Sequence, residues 1–123
     1  LKDQPKFLFE YGQCLSKTGQ YEEGIRILTE GTRLSADPMF YNIMGKDAEA
    51  LKHFGQAEAC FKQASYMVPH RLYPLYLLAK MYFESGQSEK GRDMARQVIQ
   101  KEPKVMSDAV KEMKAELEER LKP

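Results

Sequence analysis

A small residue that keeps returning limits what this chain can fold into more than any other feature. Gly12, Gly45 and Ala79 stand 33 and 34 residues apart, each inside the same kind of apolar framework. The first window reads Leu8, Tyr11, Gly12, Leu15, then Gly19 and Tyr21, then Gly24, Leu28 and Gly31. The second reads Tyr41, Met44, Gly45, Ala48, then Phe54, then Ala57, Phe61, Ala64 and Pro69. The third reads Leu75, Leu78, Ala79, Tyr82, then Gly86, then Gly91, Ala95, Val98 and Pro103. Self-similarity at such a period marks one supersecondary unit used repeatedly, and a single copy cannot bury its apolar face alone.

Within each window the apolar residues fall three and four apart, which puts them on one stripe of a helix. The small residue lets a second helix of the same unit approach closely. Turn chemistry at Thr18-Gly19-Gln20, Phe54-Gly55-Gln56 and Ser85-Gly86-Gln87 predicts where one helix stops and the next begins. Pro38, Pro69, Pro74 and Pro103 fall at the unit boundaries, where no helix interior is interrupted. Glycines at 24, 31 and 91 lie inside second helices and cost about 1 kcal/mol each against alanine, so close packing must offset them or those helices are soft. After the third unit, Ser107 is a candidate cap for a helix that carries Val110, Met113, Leu117 and Leu121 on one stripe. Its other face is charged, with Lys111, Glu112, Lys114, Glu118, Glu119 and Arg120. The last unit of an array needs such a cover for its apolar face.

The opening large-x-x-large-small-x-x-large, followed by small-x-x-x-large-x-x-small and proline, resembles the tetratricopeptide-repeat family, whose period is about 34 residues. The resemblance covers residues 6 to 103. It departs at Ala36, where the closing proline is usual and Pro38 follows two residues later, at Ala48, where an aromatic is usual, and at Ala95, where a large apolar residue is usual. The implied fold is all-α: a solenoid of three antiparallel helix hairpins plus a C-terminal capping helix, seven helices in all. The divisions are 1–5 as the end of a preceding linker or repeat, then repeats at 6–37, 38–70 and 71–104, then the capping helix at 105–123.

Composition removes several function classes. The chain of 123 residues has 19 Lys plus Arg against 18 Asp plus Glu, a net charge of +1 that draws it neither to nucleic acid nor to anionic lipid. The longest apolar-looking stretch, Leu72 to Phe83, contains Pro74 and Lys80 and falls short of the roughly 20 residues a spanning helix needs, so no direct membrane insertion is expected. The N-terminus has neither an initiator Met nor an apolar leader segment, and is read as the interior of a longer chain. Cys14 and Cys60 match no zinc or redox spacing and read as buried free thiols. No HExxH, CxxC or GxSxG is present. Gly86 to Gly91 has the spacing of a phosphate loop, yet Arg92-Asp93 follows in place of Lys-Ser/Thr and a helix precedes it where a strand is required. The carboxylate pairs Glu22-Glu23 and Glu118-Glu119 are adjacent on helices and diverge, so neither can act on one atom. His53 and His70 fall on loops. No catalytic residue, metal site or cofactor is indicated, and the domain is expected not to be an enzyme. Tyr66, Tyr82, Met81 and Met94 are read as hairpin packing, and no aromatic-plus-basic stripe for single-stranded nucleic acid is evident.

The family resemblance implies a right-handed superhelix whose concave face is lined by the first helix of each hairpin. Its inward positions fall on Phe9, Gln13, Ser16 and Lys17, then Asn42, Lys46 and Glu49, then Tyr73, Tyr76, Lys80 and Phe83. Such a groove of aromatics and lysines suits a protein or an extended or helical peptide with some acidic groups. Members that grip a chaperone's terminal carboxylate use lysine, asparagine and arginine at places where this chain has Phe9, Gln13, Ile43, Tyr73 and Leu77. A clamp of that kind is not expected here.

A narrower resemblance lies in the run from Met67 to Tyr82, followed by Lys104-Val105-Met106-Ser107. It is similar to the C-terminal repeat region of membrane-bound O-antigen ligase or polymerase family proteins of Bacteroidetes, over residues 40 to 117. It implies a glycan ligase or polymerase parent with many membrane-spanning helices. This segment would be its soluble appendage, tethered to the bacterial inner membrane by upstream segments and recruiting a partner or pairing with itself. The competing reading is a repeat segment of a soluble adaptor. Further repeats upstream would favour the adaptor, and segments of about 20 apolar residues the membrane parent. The residues alone leave the compartment open.

Overall fold

Seven helices and no strand are present among the described residues, 4–123, of the computed structural model. They are α1 (Gln4–Lys17), α2 (Tyr21–Thr32), α3 (Met39–Ala50), α4 (Phe54–Met67), α5 (Tyr73–Glu84), α6 (Ser88–Gln100) and α7 (Asp108–Leu121). Of residues 1–5, expected to end a preceding linker or repeat, 1–3 lie outside the described residues, and Gln4 and Pro5 open α1. α1–α2, α3–α4 and α5–α6 form the three hairpins, and α2 packs on α3, α4 on α5 and α6 on α7.

Curvature follows from which helices meet. α1 touches α3, α3 touches α5, and α5 touches α7, whereas among the described residues no such contact links α2 with α4 or α4 with α6. The first helices of the hairpins therefore stand shoulder to shoulder on the inside, and the second helices fan apart on the outside. This is the solenoid that the repeat period implied.

The recurring small residues do what their spacing requires. A Cβ on Gly12 would lie 2.5 Å from the Leu28 side chain of the same hairpin, and one on Gly45 would lie 2.5 Å from the Phe61 ring. Ala79, at the third of these places, is fully buried. The glycines of the second helices serve the next joint or the same hairpin. Gly31 makes room for the Phe40 ring of α3, and Gly91 would place a Cβ 2.9 Å from Phe83. Packing of these rings offsets the helix cost of the glycines: Phe40 and Phe61 are fully buried, and each such side chain contributes about 1.5–3 kcal/mol.

Two hairpin turns use a left-handed glycine, Gly19 at φ 81° and Gly86 at φ 79°. The second does not, which corrects the expected turn at Phe54-Gly55-Gln56. Lys52, seven residues after Gly45 as Gly19 is after Gly12, takes the left-handed place at φ 63°, and Gly55 lies inside α4. Lysine bears a steric cost there that glycine avoids.

Two packing expectations also need correction. Tyr66 is 70% exposed on the last turn of α4, whereas Met81 and Tyr82 are core. Cys14 is exposed and only Cys60 is buried. Cys14 shares a stripe with Phe7 and Tyr11, whose rings lie 5.9 Å apart. Counted from the small residue, Phe7 and Tyr11 are the register counterparts of Phe40 and Met44. Those two are buried against α2, but nothing in the described array stands before α1, so Phe7 is 61% exposed.

The C-terminal helix closes the other end. Ser107 caps α7, its Oγ accepting from the Val110 amide at 3.2 Å. Leu117 is fully buried with Leu72, Ala79, Ala95 and Val98, and Val110, Met113 and Leu121 pack around them. Lys114 holds the register position of Gly12, Gly45 and Ala79. Among the described residues no second helix packs over this position as α2, α4 and α6 do over the others, and it holds a large side chain. Its ammonium donates to the carbonyls of Ile99 at 3.0 Å and Lys101 at 2.7 Å, a cation on the C-terminal end of α6.

Candidate functional site

The inner wall has two differently built parts. At the first joint, α1 and α3 leave a depression of about 330 Å³ lined by Gln13, Ser16, Lys17, Tyr21, Ile43, Lys46, Asp47 and Ala50. Lys17, Lys46 and Ala50 are exposed and Gln13 half-buried, so polar groups are presented to solvent along it. Glu49 continues the wall toward α5, where a shallower hollow runs to Phe54 and Glu84. Burial pushes the Glu49 carboxyl up, and Glu84 adds to the effect.

At the bottom of the first depression sits Asp47, 1% exposed. Among the described residues its carboxylate has one hydrogen-bond partner, the Ser16 hydroxyl, which donates to Oδ2 at 2.8 Å and also lies 3.0 Å from the Gly12 carbonyl. One hydroxyl proton cannot serve both acceptors fully. Gly24 supplies the space: a Cβ there would stand 3.0 Å from both Asp47 Oδ2 and Ser16 Oγ. Burial raises the Asp47 pKa to about 6, against the opposing effects of Ser16 and Lys46. The neighbouring Cys60 thiol is raised to about 11 by burial and by Asp47, which leaves it an unreactive core group.

Asn42, expected on the groove surface, is 2% exposed and belongs to the interior. Its amide nitrogen donates to Met39 Sδ at 3.5 Å, and its Oδ1 has no hydrogen-bond partner among the described residues. Phe9 is half-buried, edge-on to Phe40 with centroids 5.1 Å apart, so much of it is packing.

The third-repeat residues are where the sequence reading departs most from the structure. Tyr73 stacks on Tyr76 at 6.2 Å. The Tyr76 hydroxyl donates to Glu116 Oε1 of α7 at 2.8 Å, and Lys80 donates to the Tyr76 hydroxyl at 3.1 Å and pairs with Glu116 Oε2 at 3.0 Å. Arg120 of α7 stands over the Phe83 ring, 4.6 Å from its centroid. Tyr76, Lys80 and Phe83 therefore hold the closing helix, and the partners that engage them, Glu116 and Arg120, were not singled out for this role from the sequence. Burial pushes Glu116 up, but the Tyr76 and Lys80 hydrogen bonds prevail and its carboxyl lies below the usual value. Asp47 was equally missed. The available signal was its register: it sits two residues after the small position, as Met81 and Glu116 do, on a stripe that α5 fills with a buried methionine.

Two further features complete the surface. A cleft of about 350 Å³ separates the N-terminal ends of α5 and α7, with His70, Arg71 and Lys104 on its rim. His53 and His70 are exposed on separate connections. Among the described residues no group of three His, Cys, Asp or Glu side chains could hold a metal ion, and no helix is long and apolar enough to cross a membrane.

An array of helix hairpins joined through small residues, with its first helices on the inner side, defines the class, and the family follows from it. Tetratricopeptide-repeat models match residues 5–38 and 75–104, and this chain belongs to the tetratricopeptide-repeat family. No curated protein sequence matches it. Among solved structures it is similar to the first such domain of Spaghetti (RPAP3), bound to an HSP90 peptide, with TM-score 0.76 and 19% identity over 97% of this chain and 96% of that one. PcrH in complex with the chaperone-binding region of PopB gives 0.75 and 16%, over 98% and 97% of the two chains. The Sgt2 domain from Aspergillus fumigatus gives 0.75 and 16%, over 95% and 78%. At these identities the likeness is one of fold.

Proposed function

We propose that this domain is a non-catalytic interaction module that holds a protein or peptide segment against the inner wall, chiefly at the first joint. The observation that carries this is the open depression between α1 and α3, where Gln13, Lys17 and Lys46 have no side-chain partner among the described residues, while Tyr76, Lys80 and Phe83 are engaged by α7. Polar groups presented along a rigid concave wall suit an extended segment, whose backbone and side chains they meet without rearrangement of the helices. Relatives in fold are seen with such occupants: the RPAP3 domain holds an HSP90 peptide and PcrH a region of PopB. The places where the family's chaperone-tail clamp has lysine, asparagine and arginine carry Phe9, Gln13, Ile43, Tyr73 and Leu77 here, which argues for a different partner sequence.

For the parent protein, the run from Met67 to Tyr82 supports an O-antigen ligase or polymerase-like membrane protein of which this is the soluble C-terminal part. The adaptor reading rests on the repeat form alone. Repeated segments of about 20 apolar residues in the same reading frame separate the first from the second.

A photo-crosslinking residue at position 13 or 46 tests the inner wall, with position 63 on the exposed side of α4 as control. Adducts from the two inner positions and not from the control are expected. Equal yield from all three removes the wall as the contact surface.

A further inference from the structure

We infer that the cleft between the N-terminal ends of α5 and α7 is an anchor for an apolar side chain flanked by carboxylates on a protein partner. The inference deepens the interaction reading above and rests on it. Leu72, Val110 and Met113 form the apolar part of the cleft, which has the volume of a large side chain with room to spare, about 350 Å³. His70, Arg71 and Lys104 stand around it, all exposed. None of the three pairs with a carboxylate among the described residues, although Arg26, Lys62, Lys80, Arg96 and Lys122 all do.

Charge sets this cleft apart from the rest of the inner surface. The depression at the first joint sets Asp47 against Lys17 and Lys46, and the hollow beyond it sets Glu49 and Glu84 against Lys46 and Lys52, so each holds at least one acid among its lysines. Among the described residues no acid lines the α5–α7 cleft. Glu102 and Asp108 flank the lining segment 103–107 in sequence and form no ion pair with the rim. A chain with a net charge of +1 thus concentrates unbalanced positive charge around one apolar hollow. Phosphate-rich ligands would use the rim and leave the apolar part in water. An apolar side chain beside one or two carboxylates uses both. Tyr73 lines the cleft and stacks on Tyr76, so the anchor is continuous with the inner wall.

The test is an amide-shift titration of the whole domain with a blocked pentapeptide carrying one leucine followed by two glutamates, beside the same peptide with glutamines. Saturating shifts confined to residues 70–73 and 103–113 are expected for the glutamate peptide, with affinity at least about fivefold weaker for the glutamine peptide and weakened by added salt. An Arg71→Gln, Lys104→Gln variant should lose the same factor while melting as the parent does. Equal affinity for the two peptides, or no saturable shift in the cleft by about 1 mM, overturns the inference. Shifts at residues 13–17 and 46–50 alone also overturn it while leaving the inner-wall reading intact. Inorganic phosphate producing the same saturating shifts would reduce the cleft to an anion site without an apolar anchor and overturn it too.

Discussion

The first and last joints of the inner row place a carboxylate at the same register position and treat it in opposite ways. Asp47 in α3 and Glu116 in α7 each lie two residues after the small position and each face the preceding inner helix. Asp47 is sealed in with one hydroxyl for company, and burial raises its pKa to about 6. Glu116 lies at the rim, where Tyr76 and Lys80 together outweigh its burial and hold its pKa below the ordinary value. Which outcome a given acid meets depends on what the preceding helix offers. α1 offers Gln13 and Ser16, which are small or neutral, and α5 offers a phenol and an ammonium. One joint is left with an unrelieved charge, and the other is latched.

The largest effect that sharpens this contrast is expected at the latched end. Leu117→Ala removes the fully buried side chain by which α7 covers Leu72, Ala79 and Val98, and should cost about 2–4 kcal/mol in urea unfolding. A loss below about 1 kcal/mol would mean that α7 adheres mainly through its polar contacts and that closure of the array is not hydrophobic. At the first joint the sign reverses. The folded-state pKa of Asp47 exceeds its value in the unfolded chain, so between about pH 4 and 6 the folded state holds the extra proton, and stability falls as pH rises through that window. Asp47→Asn should therefore stabilise the domain at pH 7.5 by about 1–2 kcal/mol, with solvent in the depression reducing the full effect. The gain should vanish near pH 4. A variant that is less stable at pH 7.5 would show that the charge is compensated in place. Lys114→Met keeps the stem and deletes the ammonium over Ile99 and Lys101, for an expected loss of about 1 kcal/mol and fraying of α6 from its C-terminal end in hydrogen exchange.

Architecture was legible in the sequence because it depends on periodic size. Gly12, Gly45 and Ala79 face a neighbouring helix through a gap that only small side chains fit, and such a constraint leaves its period in the residues. The turn at Lys52 was misread because Gly55 offered the expected chemistry three residues away, while the register places the left-handed residue at Lys52. The inner wall was legible only in outline. A position's inward direction follows from its place in the repeat, but whether the side chain is free depends on the next helix. Asn42 is buried, and Tyr76, Lys80 and Phe83 are taken by Glu116 and Arg120. Those contacts join residues 36 to 40 positions apart across a joint whose geometry no local pattern encodes. Asp47 and Ser16 are 31 apart and escape a local reading in the same way.

The smallest expected effect is the one that tests the pairing at the last joint directly. Glu116→Gln keeps an acceptor for Tyr76 and removes the charge that Lys80 pairs with. Because the folded-state pKa of Glu116 lies below its ordinary value, its contribution is present above the usual carboxylate range and is lost as pH falls through the folded value. Both side chains are more than 40% exposed, so water and salt screen the pair, and the variant should lose only about 0.5 kcal/mol at pH 7. The loss should shrink further in high salt and disappear near pH 3. Asp47→Asn and Glu116→Gln, compared across the same pH series, should thus diverge: one variant gains stability over the parent as pH rises, and the other falls behind it. Parallel curves would mean that the two acids sit in equivalent surroundings and that the first joint is as well compensated as the last.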